Sequence, residues 1–245
     1  RVRLYPEHVV ERIEKSNKSL TVVCADLKLE ADMVLVAIGI TPDNRLAANA
    51  NIELGVSNSI SVDKGLKTSD KNIFAAGDCA DAYHVVTGRK VWIPLALRAD
   101  RAGRDVADSV YGLKTKLLGV VGTAVFKLFD LEVARTGLHS EEAKKFDFEP
   151  VEVTIKSGSR AHAHPGSSAI YVQMVGDRKS GRLLGVQMVG KEGTAHRINT
   201  AAVALHCHMT VEQFSQADMA YAPPFGPVWD PMLTAANQLL KKMSV

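Results

Sequence analysis

The sequence predicts a chain that begins as α/β and passes into α+β, and three features of its pattern carry that prediction. Ala31-Asp-Met-Val-Leu-Val-Ala-Ile38 is a nearly continuous apolar run that Gly39-Ile-Thr-Pro-Asp43 breaks, as a buried strand would be. After Pro94 the apolar residues take up helical spacing. Beyond residue 148, strand-like segments come first and helical ones last, the order of an α+β region.

Taken in order, Val9 to Lys15 and Leu20 to Cys24 flank the polar Ser16-Asn-Lys-Ser19 and read as a hairpin. The apolar strand of residues 31–38 follows. Ile60-Ser-Val62 and Ile73-Phe-Ala-Ala76 are short strand-like pieces, the second ending at Gly77-Asp78. Leu95, Leu97, Ala99, Ala102, Val106 and Val110 describe the apolar face of a helix that Gly112 terminates. The run from Leu117 to Phe129 fits strand or helix. Phe148 to Lys156, Ala169 to Val175 and Leu183 to Val189 read as three strands, with Gly176-Asp177 and Ser180-Gly181 turning between the last two. Ala195 to His208 is helical, and Thr210-Val-Glu-Gln213 forms a capping-box pattern for the next helix. Ala222-Pro-Pro-Phe-Gly-Pro227 interrupts, and Met232 to Met243 is a final amphipathic helix. Changes of pattern place boundaries near residues 44 and 118, which divides the chain into 1–44, 45–118 and 119–245.

With 30 basic and 27 acidic residues and a formal charge of +3, the chain has no block of charge that would suit nucleic acid. No apolar run reaches membrane-spanning length, so no membrane partner is expected. Cys24, Cys79 and Cys207 are sparse and form no CxxC, which points to a reducing, cytoplasmic compartment. Cys24, on a strand, and Cys207, within a helix, read as small buried hydrophobes. Arg1-Val-Arg-Leu opens the chain without Met, so an upstream half is expected. His206-Cys-His208 and His162-Ala-His164 lack further ligands nearby, so no metal is expected.

The richest stretch is Thr68-Ser-Asp-Lys-Asn-Ile-Phe-Ala-Ala-Gly-Asp-Cys-Ala80. A strand ending in Gly-Asp sets a carboxylate where open α/β sheets hold ligands. Gly77 permits close approach of the backbone, and Asp78 accepts hydrogen bonds from sugar-like hydroxyls. By itself Gly-Asp is more often a turn. In this context, however, the segment resembles the second flavin motif of the FAD-dependent pyridine-nucleotide:disulfide oxidoreductases. There a Thr precedes Ala-Gly-Asp by about ten residues and the Asp holds the ribityl chain of FAD. Val34 to Asn44 is similar to the strand by which that family leaves a Rossmann-like nicotinamide domain. Ile93-Pro-Leu-Ala-Leu-Arg-Ala-Asp-Arg-Ala-Gly-Arg104 is similar to the helix that points at the isoalloxazine ring. Its free N–H groups suit the charge of reduced flavin.

Val189-Gly-Lys-Glu-Gly193 and Tyr221-Ala-Pro-Pro-Phe225 resemble the dimerisation domain of the coenzyme A-disulfide reductase, NADH oxidase and NADH peroxidase branch, closest to the first. The resemblance implies an end of a nicotinamide domain in 1–44, a returning FAD-domain segment in 45–118 and an α+β dimerisation domain in 119–245. It assigns cofactor contacts to Thr68, Gly77, Asp78, Pro94, Leu95 and Ala96. Tyr221 inherits a reach across the dimer towards the partner's flavin and thiol, as a candidate proton donor. Three positions depart from that branch: His164 follows Ala163 where paired tyrosines are usual, Asp100 stands for a His, and Trp229 for a Lys. These departures touch the substrate pocket and leave the flavoprotein scaffold in place.

The sequence holds no GxGxxG, so both glycine-rich nucleotide loops and the redox cysteine are expected upstream. The implied activity is electron transfer from NAD(P)H through FAD and a cysteine centre to a disulfide, persulfide or oxygen acceptor, in a homodimer. Two other readings stand beside it: a non-catalytic dimerisation module, and an electron-transfer flavoprotein of the ferredoxin-reductase type.

Overall fold

The computed structural model describes residues 2–244. The chain divides into two compact units, one ending at Thr41 and the other beginning at Pro42. The first unit holds an antiparallel sheet in the order β1-β2-β3, formed by β1 (Val10–Lys15), β2 (Leu20–Cys24) and β3 (Lys28–Ala31). The expected hairpin is there, its turn closed by the Ser16 N–H donating to the Ser19 carbonyl at 3.0 Å.

The strand expected over residues 31–38 is not formed. β3 ends at Ala31, and the following run is irregular, with Leu35 86% exposed and Ile38 91%. A strand without a neighbour leaves its ladder unpaired, and none of the described strands runs beside this one.

The second unit opens with α1 (Arg45–Asn49) and a single 3-10 turn at Val56–Asn58. Its first part is built from isolated bridges: Ile60 pairs with Leu54 and Ala80, and Lys67 pairs with Phe74. The short hairpin β4 (Ala82–Tyr83) and β5 (Lys90–Val91) follows, then α2 (Ala96–Val110). α2 buries Arg98 and Ala102, while Leu97 and Val110 lie exposed, so the face drawn from apolar spacing alone is rotated. Ala102 packs into a small core with Val62, Leu66, Ala75 and Ala80, and Val106 lies against it.

The rest is a five-stranded antiparallel sheet in the order β6-β7-β10-β9-β8. Its strands are β6 (Ala124–Leu128), β7 (Leu131–Gly137), β8 (Pro150–Gly158), β9 (Ala169–Asp177) and β10 (Leu183–Gly190). The one-turn helix α3 (Ser140–Ala143) joins β7 to β8. The expected strands thus fall in β8, β9 and β10, whereas 117–129 resolves into a bridge at Val120 and then β6, half of a hairpin with β7.

α4 (Thr194–His206) lies over β7 and β10, and α6 (Pro231–Met243) over β8 and β9, next to α5 (Val211–Ser215). The strand face beneath them alternates as expected of a half-covered sheet. Ile170, Val172, Met174, Val186 and Met188 point into a core shared with Ile198, Leu205, Phe214, Met232 and Leu239. Burying a side chain of this size contributes about 1.5–3 kcal/mol. The Thr210–Gln213 capping box starts α5 as expected. Cys24 is buried, but Cys207 is exposed, because α4 ends at His206 and leaves Cys207 at its C-cap.

Candidate functional site

Two clusters of site residues form in the second unit. The first is centred on the turn from Gly77 to Asp81. Thr68 is engaged within its own loop. Its hydroxyl donates to the carbonyls of Ile73 (2.9 Å) and Asp70 (3.1 Å), closing the loop that delivers the chain to Phe74. Beyond it, the Ile60 N–H donates to the Cys79 carbonyl (2.8 Å) and the Asp81 N–H to the Ile60 carbonyl (3.0 Å), fixing the far side of the turn. Gly77 has φ +91, and the space where a Cβ would stand is open. Asp78 is exposed, and its carboxylate makes no hydrogen bond among the described residues. Its backbone carbonyl is held by the Trp92 indole N–H at 2.7 Å.

Ile93-Pro94 leads directly into α2, where Leu95 is the N-cap and supplies no side-chain cap. The first intrahelical bond runs from the Ala99 N–H to the Leu95 carbonyl at 3.0 Å, so the amides of Ala96, Leu97 and Arg98 precede it. Uncapped amides at the positive end of a helix bind negative charge. Asp78 and this helix start are tied together by Arg98, whose Nη1 donates to the Gly77 carbonyl and Nη2 to the Asp81 carbonyl. Asp81 is 1% exposed, accepts the Val62 N–H at 3.1 Å and pairs with Lys90 at 2.8 Å. A Cβ on Gly55 would stand 2.3 Å from its Oδ2, so the 3-10 turn also seats on this carboxylate.

Arg98, Trp92 and Asp81 escaped the reading of the sequence. The available signal was a lone Arg in the apolar stretch Pro94-Leu-Ala-Leu-Arg-Ala99, which helical spacing treats as a solvated position.

The second cluster comprises loops of the five-stranded region. The Ala161 N–H donates to the Pro223 carbonyl at 3.1 Å, bringing the His164 loop against Tyr221-Ala-Pro-Pro. Arg160 braces one side through a two-pronged pair with Glu192, at 2.9 and 2.8 Å, which holds the Glu192 carboxyl below its usual range. Arg197 braces the other side, donating to the Phe225 carbonyl at 2.8 Å. His164 Nδ1 lies 3.0 Å from the Pro165 carbonyl. Tyr221 is 48% exposed, and Phe225 and Trp229 are more so at 78% and 61%. Asp100 stands apart from this cluster on α2, in an exposed pair with Arg104 at 3.4 Å. The His164 loop thus meets the Tyr221 loop through the backbone, and Arg197 links that loop to Asp230, next to Trp229, while Arg98 links Gly77 to the helix start after residues 94–96. Among the described residues no group of three or more His, Cys, Asp or Glu side chains lies close enough to hold a metal. No helix among them is long and apolar enough to cross a membrane.

Comparison with known proteins gives this arrangement its family. Residues 1–103 match the pyridine nucleotide-disulphide oxidoreductase domain, and residues 123–232 the dimerisation domain of the same family. The chain belongs to the pyridine nucleotide-disulphide oxidoreductases. It is 38% identical over 238 residues to an NAD(P)H sulfur oxidoreductase (CoA-dependent) of Pyrococcus abyssi, covering 97% of this chain and 53% of that protein. A coenzyme A disulfide reductase of Staphylococcus aureus is 33% identical over 195 residues, 79% of this chain and 44% of that one. The solved NAD-dependent persulfide reductase from A. fulgidus superposes with a TM-score of 0.91 at 34% identity, over 97% of this chain and 44% of its own. The chain spans about half the length of the curated relatives it matches.

Proposed function

We propose that this chain supplies part of an FAD site and the dimerisation surface of an NAD(P)H-dependent disulfide, persulfide or oxygen reductase. The observation that carries it is the pairing of a hydrogen-bond-free Asp78 carboxylate with the uncapped amides of Ala96, Leu97 and Arg98, joined through Arg98. The open space at Gly77 fits a cofactor passing close to the backbone. In this reading Asp78 accepts hydrogen bonds from the ribityl hydroxyls. Pro94, Leu95 and Ala96 present the start of α2 to the ring, and Thr68 acts indirectly by shaping the loop. FAD, when bound, supplies the two-electron relay between nicotinamide and sulfur.

The names of the relatives support the class of acceptor: NAD(P)H sulfur oxidoreductase, coenzyme A disulfide reductase, persulfide reductase. We assign residues 1–44 to the end of the nicotinamide domain, 45–118 to the FAD-domain return and 119–245 to the dimerisation domain of a cytoplasmic homodimer. The exposed Tyr221, Phe225 and Trp229 are the surface offered to the second copy and its acceptor site, with His164 beside them and Asp100 on the flavin helix as substrate-side residues.

The test is flavin retention. In the flavin-loaded protein, Asp78→Ala should weaken FAD binding by about tenfold or more, because a hydrogen bond to a charged group is worth about 1.5–3 kcal/mol. Unchanged affinity would remove Asp78 from the site.

A further inference from the structure

Arg98 stands on the first turn of α2, yet its side chain is buried, 8% exposed. A cation there opposes the helix dipole, whose positive end lies at the same turn. Burial also pulls the guanidinium below its ordinary pKa, with Asp81 and Asp78 opposing that fall. Its Nε is buried without a partner among the described residues, so the two terminal nitrogens carry the hydrogen bonds that offset its burial. Both terminal nitrogens are spent on backbone carbonyls, those of Gly77 and Asp81, which bracket the turn carrying Asp78. A planar guanidinium presents two separate nitrogens to these two carbonyls in a fixed fork, which the single nitrogen of a lysine does not reproduce.

We propose that Arg98 is a positioning residue that fastens the Asp78 turn to the start of α2 and adds a buried positive charge to the end of that helix facing the flavin. This rests on the flavin reading above. The carboxylate and the open amides then move as one body, so the ribityl chain and the ring are gripped in a fixed relation. The charge favours the reduced ring, which is anionic when N1 is unprotonated, over the neutral oxidised one.

The experiment compares Arg98→Lys, Arg98→Met and Asp78→Asn in the flavin-loaded protein. It measures FAD affinity by fluorescence titration and the two-electron midpoint potential by dithionite titration against a reference dye. Both Arg98 variants should bind FAD about tenfold or more weakly, since each loses the two-carbonyl fork. Arg98→Met should also move the midpoint to more negative potential, while Arg98→Lys, which keeps the charge, should hold it. Unchanged affinity in both variants, or a midpoint unmoved in Arg98→Met, overturns the proposal. Should Arg98→Met fail to fold, Arg98→Lys decides: retained affinity overturns the proposal, and weakened affinity at an unmoved midpoint supports it. Unchanged affinity in Asp78→Asn would sink the flavin reading itself. Loss there with none at Arg98 overturns the role of Arg98 alone.

Discussion

Arg197 on α4 and Asp230 at the N-cap of α6 are joined by an ion pair of 2.8 Å whose side chains are only 15% and 16% exposed. The same arginine also donates to the Gly193 carbonyl at 3.0 Å and the Phe225 carbonyl at 2.8 Å, and Asp230 Oδ1 accepts the Met232 N–H at 2.8 Å. One residue thus ties two helices and the Tyr221 loop. Arg197→Met should lower stability by about 3 kcal/mol, because it strands a largely buried carboxylate. Urea unfolding followed by the fluorescence of Trp229, adjacent to Asp230, checks this. A change below about 1 kcal/mol would show that the loop stands without the pair.

Gly185 and Gly137 let β10 and β7 meet closely. A Cβ on Gly185 would stand 2.1 Å from the Leu138 carbonyl oxygen, an overlap with backbone that no rotamer relieves. Gly185→Ala should therefore cost about 2 kcal/mol or more. Gly103→Ala on α2, where nothing lies within 4 Å, should stabilise by up to about 1 kcal/mol. Opposite signs for the same chemical change are the expected result of thermal melts.

His84 is 4% exposed, its Nδ1 accepting the Val86 N–H at 3.2 Å, and burial pushes its pKa down to about 4. Glu142 opposes that shift, and Arg135 and His206 reinforce it. Unfolded chain takes up a proton near pH 6.5 that the native state refuses until about pH 4. The stability associated with neutral His84 is thus fully present above pH 6.5 and is lost as pH falls towards 4. The loss should approach about 3 kcal/mol. Urea unfolding between pH 7.5 and 4.5 should show this limb, and His84→Asn, which keeps an acceptor without the titration, should flatten it.

Tyr221 is held at the start of a proline-fixed loop with its ring half exposed. If its hydroxyl donates a proton or hydrogen bond at the partner's thiol site, Tyr221→Phe should slow turnover with a sulfur acceptor by about a hundredfold, as for loss of one pre-placed donor. Reduction of the flavin by NAD(P)H should be unaffected. Stopped-flow measurement of the two half-reactions separates the outcomes, and equal rates in both would leave the ring as packing.

What was legible in the sequence was whatever a short peptide encodes. The capping box at Thr210, the turn at Asp177 to Gly181 and the helix after Pro94 depend on residues within a few positions of one another. The β6–β7 hairpin was hidden because its turn is Phe129-Asp130, with Phe129 at φ +55, and carries no Gly or Asn to mark it. The rotated face of α2 was hidden because carbonyls distant in sequence draw Arg98 inward, and periodicity weighs only side chains. Asp78 was legible as a residue type. Its companions Trp92 and Arg98 become visible only when the chain closes on itself, 14 and 21 residues away for the contacts they make.

The apolar run beyond β3 has a practical consequence. Met33, Leu35, Val36, Ile38 and Ile40 are all more than half exposed, in irregular backbone that pairs with no described strand. A segment rich in β-branched residues, uncharged from Met33 to Pro42 and with free backbone groups, is a template for aggregation. Produced alone, this chain should form concentration-dependent aggregates that a single lysine at Val36 suppresses. Its handling would then be governed by ten residues that take no part in either cluster of site residues.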